Sequence, residues 1–271
     1  EAALGPEHPR VSIALNNLGK LHVARGEFDA AASLLTRALA IDEASYGPGS
    51  PEICEVLNNL ANLHAARGEY EAAIANLERA ASILEAALGP THVDLASPLN
   101  NLGMIHHLRG ELEEAVAFYR RALAINVAAL GPQHADVAST RSNLGDALRE
   151  LGRVDEAAEQ LSLALETREE ALGPTHPGLA YTLVAVAEIA LIRESYADAR
   201  AAAERALAIR EASDARPPLI AEARYALARA LWGLGDAASA RAQARAAVAA
   251  YPEDDPDGAA VRSWLAARGG S

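Results

Sequence analysis

Apolar residues return along this chain at the spacing of a helix face. Leu57, Leu60, Leu63 and His64 are followed by Ala73, Leu77, Ala80 and Leu84, and the same cadence continues on either side. Residues three and four apart share one side of a helix, whereas a half-buried strand alternates every second residue. No stretch alternates in that way, so the pattern predicts helices throughout and no sheet.

The cadence itself recurs. Leu15-Asn16-Asn17-Leu18-Gly19 returns as Leu57-Asn58-Asn59-Leu60-Ala61 and as Leu99-Asn100-Asn101-Leu102-Gly103, then fades through Arg141-Ser142-Asn143-Leu144-Gly145 to Leu183-Val184-Ala185-Val186-Ala187, in steps of 42 residues. Gly5-Pro6, Gly47-Pro48, Gly89-Pro90, Gly131-Pro132 and Gly173-Pro174 keep the same step. So do Gly26, Gly68, Gly110 and Gly152; Glu194 interrupts that series, and Gly235 resumes it after a one-residue deletion near Asp214 to Pro218. Such a period is the signature of stacked supersecondary units. Each repeat reads as two helices. The first opens with an N-cap hydroxyl and a proline, as in Ser50-Pro51, and stops at the mid-repeat Gly. The second runs, in repeat two, from about Tyr70 to Leu88, where Gly89 and Pro90 forbid its continuation. Its counterparts are expected to end near Ser45, Ala129 and Ala171, which makes roughly thirteen helices in all. Small residues recur where paired helices must touch: Gly19, Ala61, Gly103, Gly145, Ala187 and Ala228 in first helices, and Ala31, Ala73, Ala115, Ala157, Ala199 and Ala240 in second helices.

Leu60, Ala61, His64, Tyr70, Ala73, Leu77 and Ala80 lie at the spacing of the tetratricopeptide repeat, and the chain resembles that family. The long repeat, the Leu-Asn-Asn-Leu-Ala core and the Leu-Gly-Pro-x-His link resemble its kinesin-light-chain type, common in multidomain bacterial proteins. HEAT and armadillo arrays have a similar period but lack these fixed small-residue pairs. The resemblance implies an all-α, right-handed superhelical solenoid of antiparallel helix pairs. Residues 1–251 read as the array, with the end of a preceding repeat, five clear repeats and a degenerate sixth. Residues 252–271 read as a capping helix and tail, with Asp257 as N-cap and Val261, Trp264 and Leu265 on one side. Glu1-Ala2-Ala3-Leu4 matches Glu85 to Leu88, so the chain is expected to come from a longer array or multidomain protein.

Composition narrows the function. Alanine makes up about a quarter of the 271 residues, aromatics 4%, and Lys20 is the one lysine. The bias to arginine over lysine, with this much alanine, points to a bacterial source, and a cytoplasmic location is expected. No apolar run reaches membrane-spanning length. A net charge of −13 argues against nucleic acid. The single cysteine, Cys54, excludes an internal disulfide and reads as a small core residue. Gly19-Lys20 is followed by Leu21, where a phosphate loop needs Ser or Thr. His22, His64 and His106 recur once per repeat, as do His8, His92, His134 and His176. Successive helices lie about 8–10 Å apart, too far for a shared zinc with ligand atoms about 2 Å away. The linker histidines read as caps and the helical ones as fillers. Acidic pairs such as Glu113-Glu114 and Glu169-Glu170 read as solvated surface. No catalytic, cofactor-binding or metal-binding residue is expected, and no cofactor.

In the resembled family the first helices line a concave groove that receives a peptide or a partner helix. The family's register, stepping by 3, 4 and 3, selects Ile13, Asn16, Lys20 and Val23 in repeat one. It selects Glu55, Asn58, Asn62 and Ala65 in repeat two, and Ser97, Asn100, Met104 and His107 in repeat three. Ser139, Ser142, Asp146 and Arg149 follow, then Tyr181, Val184, Glu188 and Leu191, then Glu222, Tyr225, Arg229 and Trp232. Asn16, Asn58 and Asn100 are expected to face the groove, with Asn17, Asn59, Asn101 and Asn143 bonding between helices. Tyr181, Val184, Leu191, Tyr225 and Trp232 read as apolar anchors, or, for the sixth repeat, as core beneath the last helix. The function implied is a non-catalytic scaffold for a protein or peptide partner. The alternatives are the regulatory region of a larger signalling kinase or ATPase with its catalytic domain upstream, and a solenoid that self-associates.

Overall fold

A computed structural model describes residues 5–269. The match of Glu1-Ala2-Ala3-Leu4 to a second-helix end therefore lies outside the described residues. Among the described residues there are thirteen α-helices and no strand. In chain order they are α1 (Pro9–Ala24), α2 (Phe28–Tyr46), α3 (Cys54–Ala66), α4 (Tyr70–Leu88), α5 (Ala96–Leu108) and α6 (Leu112–Leu130), then α7 (Ala135–Glu150), α8 (Val154–Leu172), α9 (Ala180–Ile192), α10 (Tyr196–Ala212), α11 (Pro217–Gly233), α12 (Ala237–Val248) and α13 (Pro256–Ala266). The second helix of repeat two runs over Tyr70–Leu88 as expected, and its counterparts end at Tyr46, Leu130 and Leu172, one residue past the expected stops.

The helix boundaries follow from local chemistry. His8, His92, His134 and His176 each accept a hydrogen bond on Nδ1 from the backbone N–H two residues on. A neutral imidazole thereby satisfies one of the orphan donors at a helix start. Ser50 occupies the same place but its hydroxyl donates to the Glu52 carboxylate and makes no cap bond; Pro51–Ile53 forms a 3-10 turn before α3, as Val93–Leu95 and Pro177–Leu179 do before α5 and α9. At α13 the cap is Asp255, two residues earlier than expected, whose Oδ1 accepts from the N–H groups of Asp257 and Gly258. With Pro256 at the first helical position, the carboxylate must come from the residue before it. The mid-repeat turn needs a left-handed residue, with φ of 73° at Gly26 and 75° at Gly68; Glu194, where the glycine series breaks, still adopts φ 58°.

The chain forms two compact units, Glu1–Pro132 and Gln133–Ser271. In each, a first helix packs on its own second helix and the next pair stacks on that one. The small residues sit at these contacts. A Cβ on Gly19 would fall 2.6 Å from Leu35 Cγ, one on Gly103 2.7 Å from the Tyr119 ring, and one on Gly145 2.6 Å from Leu161 Cγ. Ala31, Ala73, Ala115, Ala157, Ala199 and Ala240 are all fully buried. Cys54 is buried too, and burial pushes its thiol up to about 11.

Arginines tie successive second helices together. Arg79 reaches back to Glu43 (2.6 Å) and to the Pro48 carbonyl (2.8 Å), Arg121 to Glu85 (3.0 Å), and Arg205 to Glu169 and the Pro174 carbonyl (2.8 Å). Glu169 is thus a bridge between repeats rather than free solvated surface. A second brace recurs in the first unit only: Nδ1 of His22, His64 and His106 meets the carboxylates of Glu27, Glu69 and Glu111. These pairs lock the turn around Gly26, Gly68 and Gly110, which gives the helical histidines a sharper role than filling space.

Candidate first-helix binding face

Within each unit the first helices form a continuous side. Its outermost register position is exposed in every repeat: Ile13, Glu55, Ser97, Ser139, Tyr181 and Glu222. Burial of an apolar side chain is favourable, so the 62% exposure of Ile13 and 57% exposure of Tyr181 stand out. Lys20 is exposed. Asn58, Asn62, Asn100, His107, Arg149, Tyr225, Arg229 and Trp232 are half-buried, each with part of its side chain open.

Two predicted site residues do not face outward. Asn16 is 4% exposed, its Nδ2 donating to Glu55 Oε1 (3.1 Å) and its Oδ1 accepting from Asn59 Nδ2 (2.8 Å). Leu191 is 8% exposed and, with Val184, belongs to the core of the second unit. The reason is common to both. The first helices approach each other closely enough to cover part of the register that was assigned to the groove. A covered amide must then find partners, and a covered Leu or Val gains by staying buried.

The same approach explains the asparagines. Asn101 donates to Asn58 Oδ1 (2.9 Å), and Asn58 Nδ2 reaches Ser97 Oγ (3.5 Å). Asn59 and Asn101 therefore bond between helices as expected, but their acceptors are Asn16 and Asn58, the residues assigned to the ligand. In the second unit the corresponding bridges are Ser142 to Thr182 (3.3 Å between hydroxyls) and a close ion pair of Arg229 with Glu188 (2.7 and 2.8 Å).

The sixth-repeat aromatics are engaged by the last helix. Trp264 meets Trp232 and Tyr225 edge-on, each with centroids 5.9 Å apart, and the Arg268 guanidinium lies 4.4 Å from the Trp264 centroid and 5.4 Å from that of Trp232. Edge-to-face pairs and a stacked cation are specific contacts. Trp232 and Tyr225 are thus half-covered parts of a cap contact rather than free anchors. Tyr181 remains open on one side, with the buried Arg210 guanidinium 5.2 Å from its ring centroid.

Asp42, Arg168 and Arg210 share one register position of the second helices, and these covered charges carry no signal in the repeat pattern. Asp42 lies under α1 and α3, and burial, with Glu55 nearby, raises its pKa above the ordinary carboxylate value. Arg168 reaches the hydroxyls of Thr182 and Ser139. Among the described residues no group of three or more His, Cys, Asp or Glu side chains is placed to hold a metal ion, and no helix is long and apolar enough to cross a membrane.

Comparison with known proteins places this arrangement. Profiles of the tetratricopeptide repeat match residues 1–44, 52–126, 96–170 and 136–212, and a second profile of the same description matches 184–255. The chain belongs to the tetratricopeptide repeat family. Solved structures of similar fold include BtubC (BKLC) from P. vanneervenii, at 20% identity and TM-score 0.69 over 88% of this chain and 90% of that one. A P. anserina protein of kinesin-light-chain type with nearly identical TPR-like repeats matches at 22% identity and TM-score 0.63, over 76% and 98% of the two chains. The apo form of RapI matches at 18% identity and TM-score 0.68, over 95% and 84%. Among curated proteins, comparison of the whole sequence finds no match.

Proposed function

We propose that this tetratricopeptide repeat chain is a non-catalytic scaffold whose first-helix face binds an extended segment or a helix of a protein partner. The observation that carries the reading is the exposed register position, open in every repeat and occupied by Ile13 and Tyr181 at two of its sites. A large apolar side chain left in water on an otherwise polar strip is what a recognition surface offers. Lys20, Asn62, Asn100, His107 and Arg149 supply polar contacts around it, and the mixed charges favour a partner that is neither strongly acidic nor strongly basic.

A random peptide library selected against the chain tests this. Selected peptides are expected to lose binding either to Tyr181→Glu or to Asn62→Glu, according to the unit they occupy, and to keep it with Glu78→Lys and Glu159→Lys on second helices. Peptides that ignore the first pair and lose the second overturn the reading.

A further inference from the structure

We propose that Trp232 and Trp264 form a corner that takes an arginine side chain of the bound segment, and that the chain's own Arg268 fills this corner until a partner arrives. This rests on the partner-binding reading above and names the chemistry of one of its subsites. Trp232 is the last first-helix register residue of the sixth repeat, on α11, and Trp264 stands on α13. Their rings meet at 78° with centroids 5.9 Å apart, so the two planes make an almost right-angled corner at the end of the first-helix face.

The present occupant shows what the corner accepts. The guanidinium carbon of Arg268 lies over both rings, 4.4 Å from the Trp264 centroid and 5.4 Å from that of Trp232. Both distances are inside the reach of about 6 Å at which the negative face of an indole attracts a cation. A planar guanidinium stacks on such a face and is weakly hydrated, whereas an ammonium holds its water more tightly.

Little else holds Arg268. It lies two residues past the end of α13. Its Nη1 donates to the Trp264 carbonyl at 3.3 Å, its own carbonyl accepts from Arg241 Nη1 at 3.4 Å, and its buried Nε has no hydrogen-bond partner. Among the described residues no carboxylate pairs with it, in a chain of net charge −13. Arg229, the neighbouring cation, also lies over a ring, 5.5 Å from the Tyr225 centroid, but Glu188 neutralises it at 2.7 Å. The rings rather than an ion pair therefore hold Arg268. A buried donor without an acceptor is a cost to the closed arrangement, and a segment that makes further contacts along the first-helix face displaces a side chain held so lightly.

The test is titration of the full chain, 15N-labelled at its tryptophans, with Nα-acetyl-arginine amide. The chain has 2 Trp, so the indole N–H signals report on this corner directly, and Trp264→Phe assigns them. Nα-acetyl-citrulline amide is the neutral control of the same shape. In Arg268→Gln both signals are expected to shift saturably with the arginine amide and not with the citrulline amide, and Arg268→Ala is expected to behave in the same way. The parent is expected to need about tenfold more arginine amide, because tethered Arg268 competes at an effective concentration in the millimolar range. Four outcomes overturn the proposal: no saturable shift in either variant, an equal response to the citrulline amide, the same midpoint in parent and variants, or a fall in melting temperature in both variants as large as that of Trp264→Ala, which would make Arg268 a strut of α13. The probe needs no partner, so it fails or succeeds independently of the peptide selection.

Discussion

Truncating Asn59 to Ala tests the amide bridge that decides which asparagines are structural. Asn59 is 7% exposed and donates to Asn16 Oδ1, while Asn16, at 4%, donates onward to Glu55. Removing the Asn59 amide leaves the Asn16 oxygen without a donor where water does not reach, a loss of about 1–3 kcal/mol. Asn16→Ala strands the Asn59 amide in the same way and frees only the exposed Glu55, so its cost is also about 1–3 kcal/mol. The double variant removes both orphans together, and its cost is expected to fall short of the sum by about 0.5–3 kcal/mol, the range for residues in direct contact. The assay is urea unfolding followed by far-ultraviolet circular dichroism, with the parent and the three variants compared at equal slope. Asn101→Ala is the internal comparison. Its acceptor, Asn58, is only half-buried, so water replaces part of the lost bond and the cost is smaller. Strictly additive losses, or an Asn59→Ala protein within about 0.5 kcal/mol of the parent, would refute the bridge.

Ala73→Leu and Ala157→Leu enlarge fully buried contact points and are expected to cost about 1–3 kcal/mol each in the same unfolding assay; parent-like curves would refute the small-residue packing. Burial raises the pKa of Asp42 in the fold, so its contribution is fully present below its unfolded value near 3.8 and is lost as pH rises through its native value. Asp42→Asn is therefore expected to stabilise the protein at pH 7, with the gain shrinking towards pH 4 in a series of thermal melts. Cys54, with its thiol pushed up to about 11, is expected to react with a disulfide reagent at pH 8 only when the protein is unfolded. Trp264→Ala is expected to uncover Trp232, read as stronger iodide quenching of the remaining tryptophan.

Most of the fold was legible because the step is strict. A Gly-Pro stop and a left-handed Gly turn recur at fixed distance, and each has one local cause, so second-helix ends were placed to within a residue. The candidate site was less legible because it depends on how adjacent repeats meet. Asn16 and Asn17 look alike in one helix, but only the interhelical distance decides which amide is covered. Leu191 and Val184 fail for the same reason. The brace from His64 to Glu69 had a signal in the recurring Gly68-Glu69 and Gly110-Glu111 pairs. Arg168 had none, since its register position holds Asp42, Leu84, Asn126 and Arg210 elsewhere, and a long side chain that passes between two helices leaves no mark in a periodic pattern.

Site-specific photo-cross-linking in the source cells tests the central claim most directly. A benzophenone amino acid is placed at Tyr181 or Asn62 on the first-helix face, and at Glu78 or Glu159 on second helices, and the linked peptides are identified by mass spectrometry. The account predicts that Tyr181 and Asn62 each capture a partner segment, that Tyr181→Glu in a second copy fails to compete for the one captured at Tyr181, and that the second-helix probes capture neither. Capture of a partner segment from Glu78 or Glu159, with nothing at Tyr181 and Asn62, would contradict the account.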